Sequence, residues 1–321
     1  EVLRGPQGTL YGRNTFGGTI NVHTQPPTLD SVNGYVSGLY GDYSRTKLEG
    51  ALNVPLGEHV AVRIAAMTDE HDGYIENKYP GGDDLRDKDT QYVRGTLLWA
   101  PTDTFDATFR IAYMDQESSG DAIWGYQQIG GFRNGNYQSG HLWAPDNASD
   151  NFDNGPWEVR RDMPSNADLE STSYTLHMNW DVDFATVKFI GNLTDFEGEQ
   201  NYDPDYSDGG DPDNSGFTGW GTDQETWSAE LQLVSNGDGP LEWMVGAYYF
   251  EMESAWNWLA RSNGDYEIPH WDRVGDYQSD SMGLFVNATY ALTDRVRLLG
   301  GYRYAEDTKT KKDQLDWTVW P

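Results

Sequence analysis

Cysteine is absent from the 321 residues, which excludes a disulfide framework and any thiolate metal site. Basic residues are scarce. Against 52 Asp and Glu stand only 22 Lys and Arg, and the resulting charge of −30 repels phosphate and argues against nucleic acid as a partner. No stretch of ~18 apolar residues occurs, so a transmembrane helix is excluded. A β-barrel is not, because a barrel strand needs only every second residue to be apolar and its loops are polar. Motifs for catalysis are missing as well. The six histidines (His23, His59, His71, His141, His177 and His270) stand singly, without HExxH or metal-ligand spacing. There is no Gly-x-Ser-x-Gly elbow, and Gly12–Gly18 lacks the lysine of a phosphate loop. Acidic pairs are abundant, but no spacing singles out an acid/base couple, and an enzyme is not expected.

What is present is aromatic, glycine-rich and regular. Thirteen Trp, 20 Tyr and 36 Gly suit many strands and turns, and aromatic content of 14% is not the mark of disorder. Eleven strands of roughly 9–12 residues are expected. They are Val32–Gly41, Tyr43–Val54, Val60–Asp69, Thr90–Ala100, Phe105–Asp115, Thr172–Asp181, Ala185–Phe196, Asp223–Val234, Leu241–Glu251, Ser281–Leu292 and Val296–Tyr304. After the first hairpin the connections run short, long, short, long. The long ones span 70–89, 116–170, 198–222 and 253–277. That is the sequence form of an all-β, antiparallel up-and-down barrel with tight turns at one rim and elaborated loops at the other.

Period-two alternation supports a lipid-facing wall. Tyr174, Leu176, Met178 and Trp180 fall on one face of their strand; Ser173, Thr175, His177 and Asn179 fall on the other. Phe105, Ala107, Phe109, Ile111 and Tyr113 alternate likewise with Asp106, Thr108, Arg110, Ala112 and Met114. On its polar face His177 reads as a hydrogen-bonded lumen residue. A soluble sandwich also alternates, but its strands are usually shorter, about 5–6 residues. Val32–Gly41 does not resolve its faces.

The first 22 residues, EVLRGPQGTLYGRNTFGGTINV, form a knot of turns between two short strand-like runs, Glu1–Arg4 and Thr19–Thr24. Gly5, Pro6, Gly8, Gly12, Gly17 and Gly18 mark tight turns, and so small a unit must pack against something larger. This run resembles the C-terminal end of the plug domain of TonB-dependent outer-membrane receptors, with a signature near L-R-G-P-Q-G-x-L-Y-G-x-N-x-x-G-G-x-I-N-V. Trp227–Ser235 and Leu299–Glu306 resemble barrel strands of the same family over shorter spans. The resemblance implies a transmembrane barrel of about 22 strands closed around an N-terminal plug. The chain is then expected to hold the end of the plug and a linker (1–27) and the N-terminal half of the barrel (28–321), truncated at both ends.

The resemblance implies TonB-driven import of a scarce ligand, commonly a ferric siderophore, across the bacterial outer membrane. TonB, its inner-membrane energising complex and outer-membrane lipid are the implied partners. Two other classes fit parts of the sequence: a secreted acidic carbohydrate-binding protein or glycosidase, and a passive porin. A lipid-facing wall opposes the first and a plug opposes the second. The resemblance also places Arg4 against inward-facing glutamates, and by strand parity Glu49 and Glu230 qualify. The long loops carry most of the excess negative charge, which suits a solvated surface or divalent cations bridging lipopolysaccharide. Seven of the 13 Trp (124, 143, 157, 220, 256, 258 and 271) fall in these loops, where they either stack on flat or sugar-like ligands or are buried among the loops. Asp203, Asp205, Asp208, Asp211 and Asp213 crowd into a segment with no Lys or Arg between Gly198 and Thr222. A Ca²⁺ ion would relieve their repulsion, although the spacing is not that of an EF-hand.

Overall fold

The computed structural model of the chain describes residues 1–5, 17–120, 157–161, 164–202, 216–237, 239–262 and 270–318. In chain order the strands are β1 (Val2–Arg4), β2 (Gly18–Ile20), β3 (Asn33–Tyr40), β4 (Thr46–Pro55), β5 (Val60–His71), β6 (Glu76–Asn77), β7 (Lys88–Thr102) and β8 (Phe105–Glu117). They continue as β9 (Glu158–Val159), β10 (Asn166–Asp181), β11 (Ala185–Tyr202), β12 (Gly216–Ser235), β13 (Leu241–Ser262), β14 (His270–Thr293) and β15 (Val296–Thr318). β1 and β2 pair with each other, as do β6 and β9. The other eleven form a single antiparallel sheet in strict sequence order from β3 to β15.

All eleven expected strands are present in the expected order, but those from β5 onward are longer, reaching 24 residues in β14. Trp220, Trp256, Trp258 and Trp271, expected in loops, therefore stand on strands. Only Trp157 of that group lies in a described connection, and it is 59% exposed. Trp124 and Trp143 fall outside the described residues. The first hairpin also differs from expectation. Tyr43 opens no strand; it and Ser44 take positive φ (58° and 55°) in the turn before β4. The connection 72–87 is ordered, with Ile75, Leu85 and Val159 forming a small buried cluster beneath Tyr74.

The ladder aligns the alternation of each strand with that of its neighbours. One cross-strand row runs Ile64, Gly95, Ile111, Tyr174, Leu193, Trp227. The next row toward the short turns runs Val62, Leu97, Phe109, Leu176, Gly191, Ala229, Tyr249, Met282. Both rows lie on one apolar, exposed face, as a wall against hydrocarbon requires. Aromatic pairs border it. Trp99 meets Phe105 edge-on with centroids 5.7 Å apart, and Trp227 lies 4.8 Å from Tyr249. The Trp227 indole and the Tyr249 hydroxyl both donate to Glu251 Oε2, at 2.9 and 3.1 Å.

Toward the long connections the same face turns acidic, through Glu70, Asp89, Asp115, Glu170, Asp195, Glu225 and Glu253. The strand extensions thus carry part of the negative charge expected of loops.

On the opposite face, near the short turns, Phe285 is 4% exposed and its ring covers Gly246, leaving no room there for a Cβ. Arg303 stacks over Phe285 and Tyr248 at 5.5 and 5.8 Å. Gly246→Ala is expected to destabilise the sheet by about 1–3 kcal/mol through overpacking, read as an earlier urea midpoint in lipid.

Candidate functional site

The polar face of the sheet carries the candidate site. Beyond the apolar band, β12 places Gln224 inward, β13 places Met252, Ser254 and Trp256, β14 places Tyr277 and β15 places Lys311. Gln224 stands opposite Ser254, Ser254 opposite Tyr277, and Tyr277 opposite Lys311. These side chains line a hollow of about 290 Å³, near the lower limit of small-molecule sites, ~300 Å³. Farther along β12 the Trp220 indole donates to Gln200 Oε1 at 2.9 Å, which fixes its ring. Rings beside an ammonium suit a flat ligand that carries negative charge.

The grouping is hidden in the sequence because Trp256 and Tyr277 fall in a polar stretch, 253–277, that reads as loop. The usable signal was parity: Met252, Ser254 and Trp256 continue the alternation of β13 past its apolar stretch.

At the same rim an ion network ties the turn before β4 to β5 and β7. Asp69, only 4% exposed, accepts from Arg45 Nε and Nη2 at 3.0 Å each and from Lys88 Nζ at 2.9 Å. The outward row at this level is polar (Thr68, Glu70, Asp89), so the network lies beyond the apolar band. The Arg45 hydrogen bonds, opposed by burial and reinforced by Lys88, hold the Asp69 carboxyl down to about 2.

The expected plug contacts are only partly described. Arg4 stands in β1 opposite Gly18, while Glu49 pairs with Lys47 at 2.7 Å and Glu230 accepts from the Gln232 amide. Glu49 and Glu230 do share the polar face. They are six strand spacings apart, however, roughly 29 Å along the sheet at ~4.8 Å per strand, so one arginine reaches at most one of them. Gly5 and Gly18 take positive φ (85° and 136°), Gly18 as the first residue of β2, and the Gly5 amide donates to the Gly17 carbonyl at 3.2 Å. Pro6, Gly8 and Gly12 lie outside the described residues. So do Asp203, Asp205, Asp208, Asp211 and Asp213. Among the described residues no group of three or more His, Cys, Asp or Glu is placed to hold a metal.

A depressed carboxyl pKa stabilises the fold above the unfolded value, about 3.9, and its contribution is lost as pH falls through the folded value. The stability difference between wild type and Asp69→Asn is therefore expected to be constant from pH 7 to about 5 and to vanish near pH 2. Urea unfolding of both proteins across that range checks it.

No family model matches the chain. It is 26% identical over 314 residues to the pesticin receptors of Yersinia enterocolitica and Yersinia pestis, covering 96% of this chain and 41% of each of them. Its fold matches the ferric yersiniabactin uptake receptor FyuA of Yersinia pestis with a TM-score of 0.74 at 20% identity, over 98% of this chain and 48% of that one. The ferripyoverdine receptor of the outer membrane of Pseudomonas aeruginosa matches at 0.63 and 16%, over 99% and 42%. The chain thus spans about two-fifths to one half of the relatives it resembles. Its exposed apolar face suits contact with hydrocarbon and its polar face the lumen of a barrel. With the plug-like run and the ordered antiparallel sheet, these likenesses give the chain the fold of part of a TonB-dependent outer-membrane receptor.

Proposed function

We propose that the protein carrying this chain imports a ferric siderophore across the outer membrane, driven through TonB by its inner-membrane energising complex, with no bond of the ligand changed. The observation that carries this reading is the lumen-side hollow lined by Met252, Trp256, Tyr277 and Lys311. It lies beyond the membrane band, where a ligand arriving from outside first meets the wall. Catecholate and phenolate siderophores present aromatic rings and negative charge around the iron, which match two aromatic rings and an ammonium. Similarity to a ferric yersiniabactin uptake receptor and to a ferripyoverdine receptor supports the ligand class. Binding of Ca²⁺ by Asp203–Asp213, and contact of the acidic outward rim with lipopolysaccharide, belong to the same proposal as accessory features.

The secreted carbohydrate-binding or glycosidase reading gains nothing from the fold, since the continuous apolar face has no use in water. A passive pore is disfavoured by the plug-like run.

Uptake of radiolabelled ferric siderophores by cells producing the full-length receptor is expected to collapse when tonB is deleted. Uptake that persists without TonB removes the active-transport reading. Trp256→Ala and Lys311→Ala are each expected to weaken binding of the transported siderophore about tenfold, the loss for one stacked ring or one charge-assisted contact. Fluorescence titration of the purified receptor checks both.

A further inference from the structure

The chain has few cations, yet three of them meet on the lumen face within the membrane band. Thr96 of β7 stands directly opposite Arg63 of β5 and Arg110 of β8. Arg94, two residues before Thr96, is diagonal to both. Each arginine is bracketed in sequence by outward-facing residues: Arg63 by Val62 and Ile64, Arg94 by Val93 and Gly95, Arg110 by Phe109 and Ile111. That places the three guanidinium groups at membrane depth, behind a low-dielectric wall.

Arg63 is 8% exposed and Thr96 4%. The Nε atoms of Arg63 and Arg110 are buried without a hydrogen-bond partner. Among the described residues none of the three arginines forms an ion pair. Like charges on neighbouring strands repel, and a buried cation without a counter-charge is strongly disfavoured. A site of this kind calls for anions, and for planar ones, because guanidinium groups pair bidentately with carboxylates.

Two observations say what supplies them. The segment leading from β2 to β3 crosses the lumen face at this point. Asn53, fully buried and directly opposite Arg63, accepts from the Thr28 amide at 2.9 Å and donates to the Thr28 and Ser31 carbonyls at 3.0 and 2.9 Å. Pro27 beside it is buried. The linker that follows the plug-like run therefore passes along the wall beside the arginines. The ring-lined hollow suited to the transported ligand lies elsewhere, on β12–β15, beyond the membrane band.

We propose that Arg63, Arg94 and Arg110 form an anion-binding site on the barrel wall that receives carboxylates of the plug and holds it seated in the lumen. The site rests on the plug-and-barrel reading and is independent of which ligand is imported.

The full-length receptor provides the test. In planar bilayers the Arg63→Ala/Arg110→Ala double variant is expected to pass small ions about tenfold more often than wild type. Arg63→Lys/Arg110→Lys restores the charge but not the fork geometry, and falls between. Salt at 1 M, which shrinks the screening length to about 3 Å, should make wild type leaky and leave the double variant unchanged. Because the chain has no cysteine, Thr96→Cys supplies an independent readout. It should react slowly with a bulky impermeant maleimide in the otherwise wild-type receptor and quickly in the double variant, while both retain the heat-modifiable mobility of a folded barrel. Fast labelling in the wild-type background, or equal conductance and equal labelling in the two backgrounds, overturns the proposal. Unchanged conductance with ferric siderophore uptake lost would move the site to the ligand path and equally overturn it.

Discussion

The structure depends on one constraint: in hydrocarbon every backbone N–H and C=O must find a partner within the protein. An unpaired group there costs several kcal/mol. The ladder from β3 to β15 meets this demand strand by strand, and all ten pairings are antiparallel. Once the ladder is fixed, side-chain chemistry follows by parity. A shift of one residue in β8 would send Ile111 to the lumen and Arg110 into lipid. The short turns hold the register, and where φ must be positive they do so at Asp183 and at the Tyr43-Ser44 pair.

Two faces of very different chemistry then share one backbone. Outward, the band of Leu97, Phe109, Leu176 and Leu231 gives way to acidic side chains at the long-connection rim. Inward, the wall is polar at mid-depth and aromatic with an ammonium near its outer opening. The Asp69 network belongs to that opening. It joins the first hairpin, β5 and β7 where loop and sheet meet, and the two cations keep its carboxylate charged well below the usual carboxylate range.

The strand count, strand order and lipid face were legible in the sequence because apolar and polar residues contrast strongly within the membrane band. Tyr174-Thr175-Leu176-His177 shows its period without any structure. Beyond the band both faces are polar, the contrast disappears, and the outer parts of β11 to β14 read as loop. For the same reason Trp220 and Trp256 were assigned to loops. Clusters that form across strands were hidden in another way. Arg63 and Arg110 are 47 positions apart, and only the lateral register brings both beside Thr96. The pair β6–β9 joins segments some 80 residues apart, and no local pattern marks it.

The length of the strands has a further consequence. At about 3.3 Å per residue and a tilt near 40°, the 24 residues of β14 climb roughly 60 Å, about twice the ~30 Å of hydrocarbon. Over β11 to β15 the outer part of the sheet is therefore a chimney wall of paired strands that outruns the hydrocarbon. For the proposed import, a ligand would meet a surface that is already folded, so little ordering entropy would be spent on capture. Exchanging side chains on the inner face of such a chimney can retune what it accepts while the hydrogen-bonded frame stays the same.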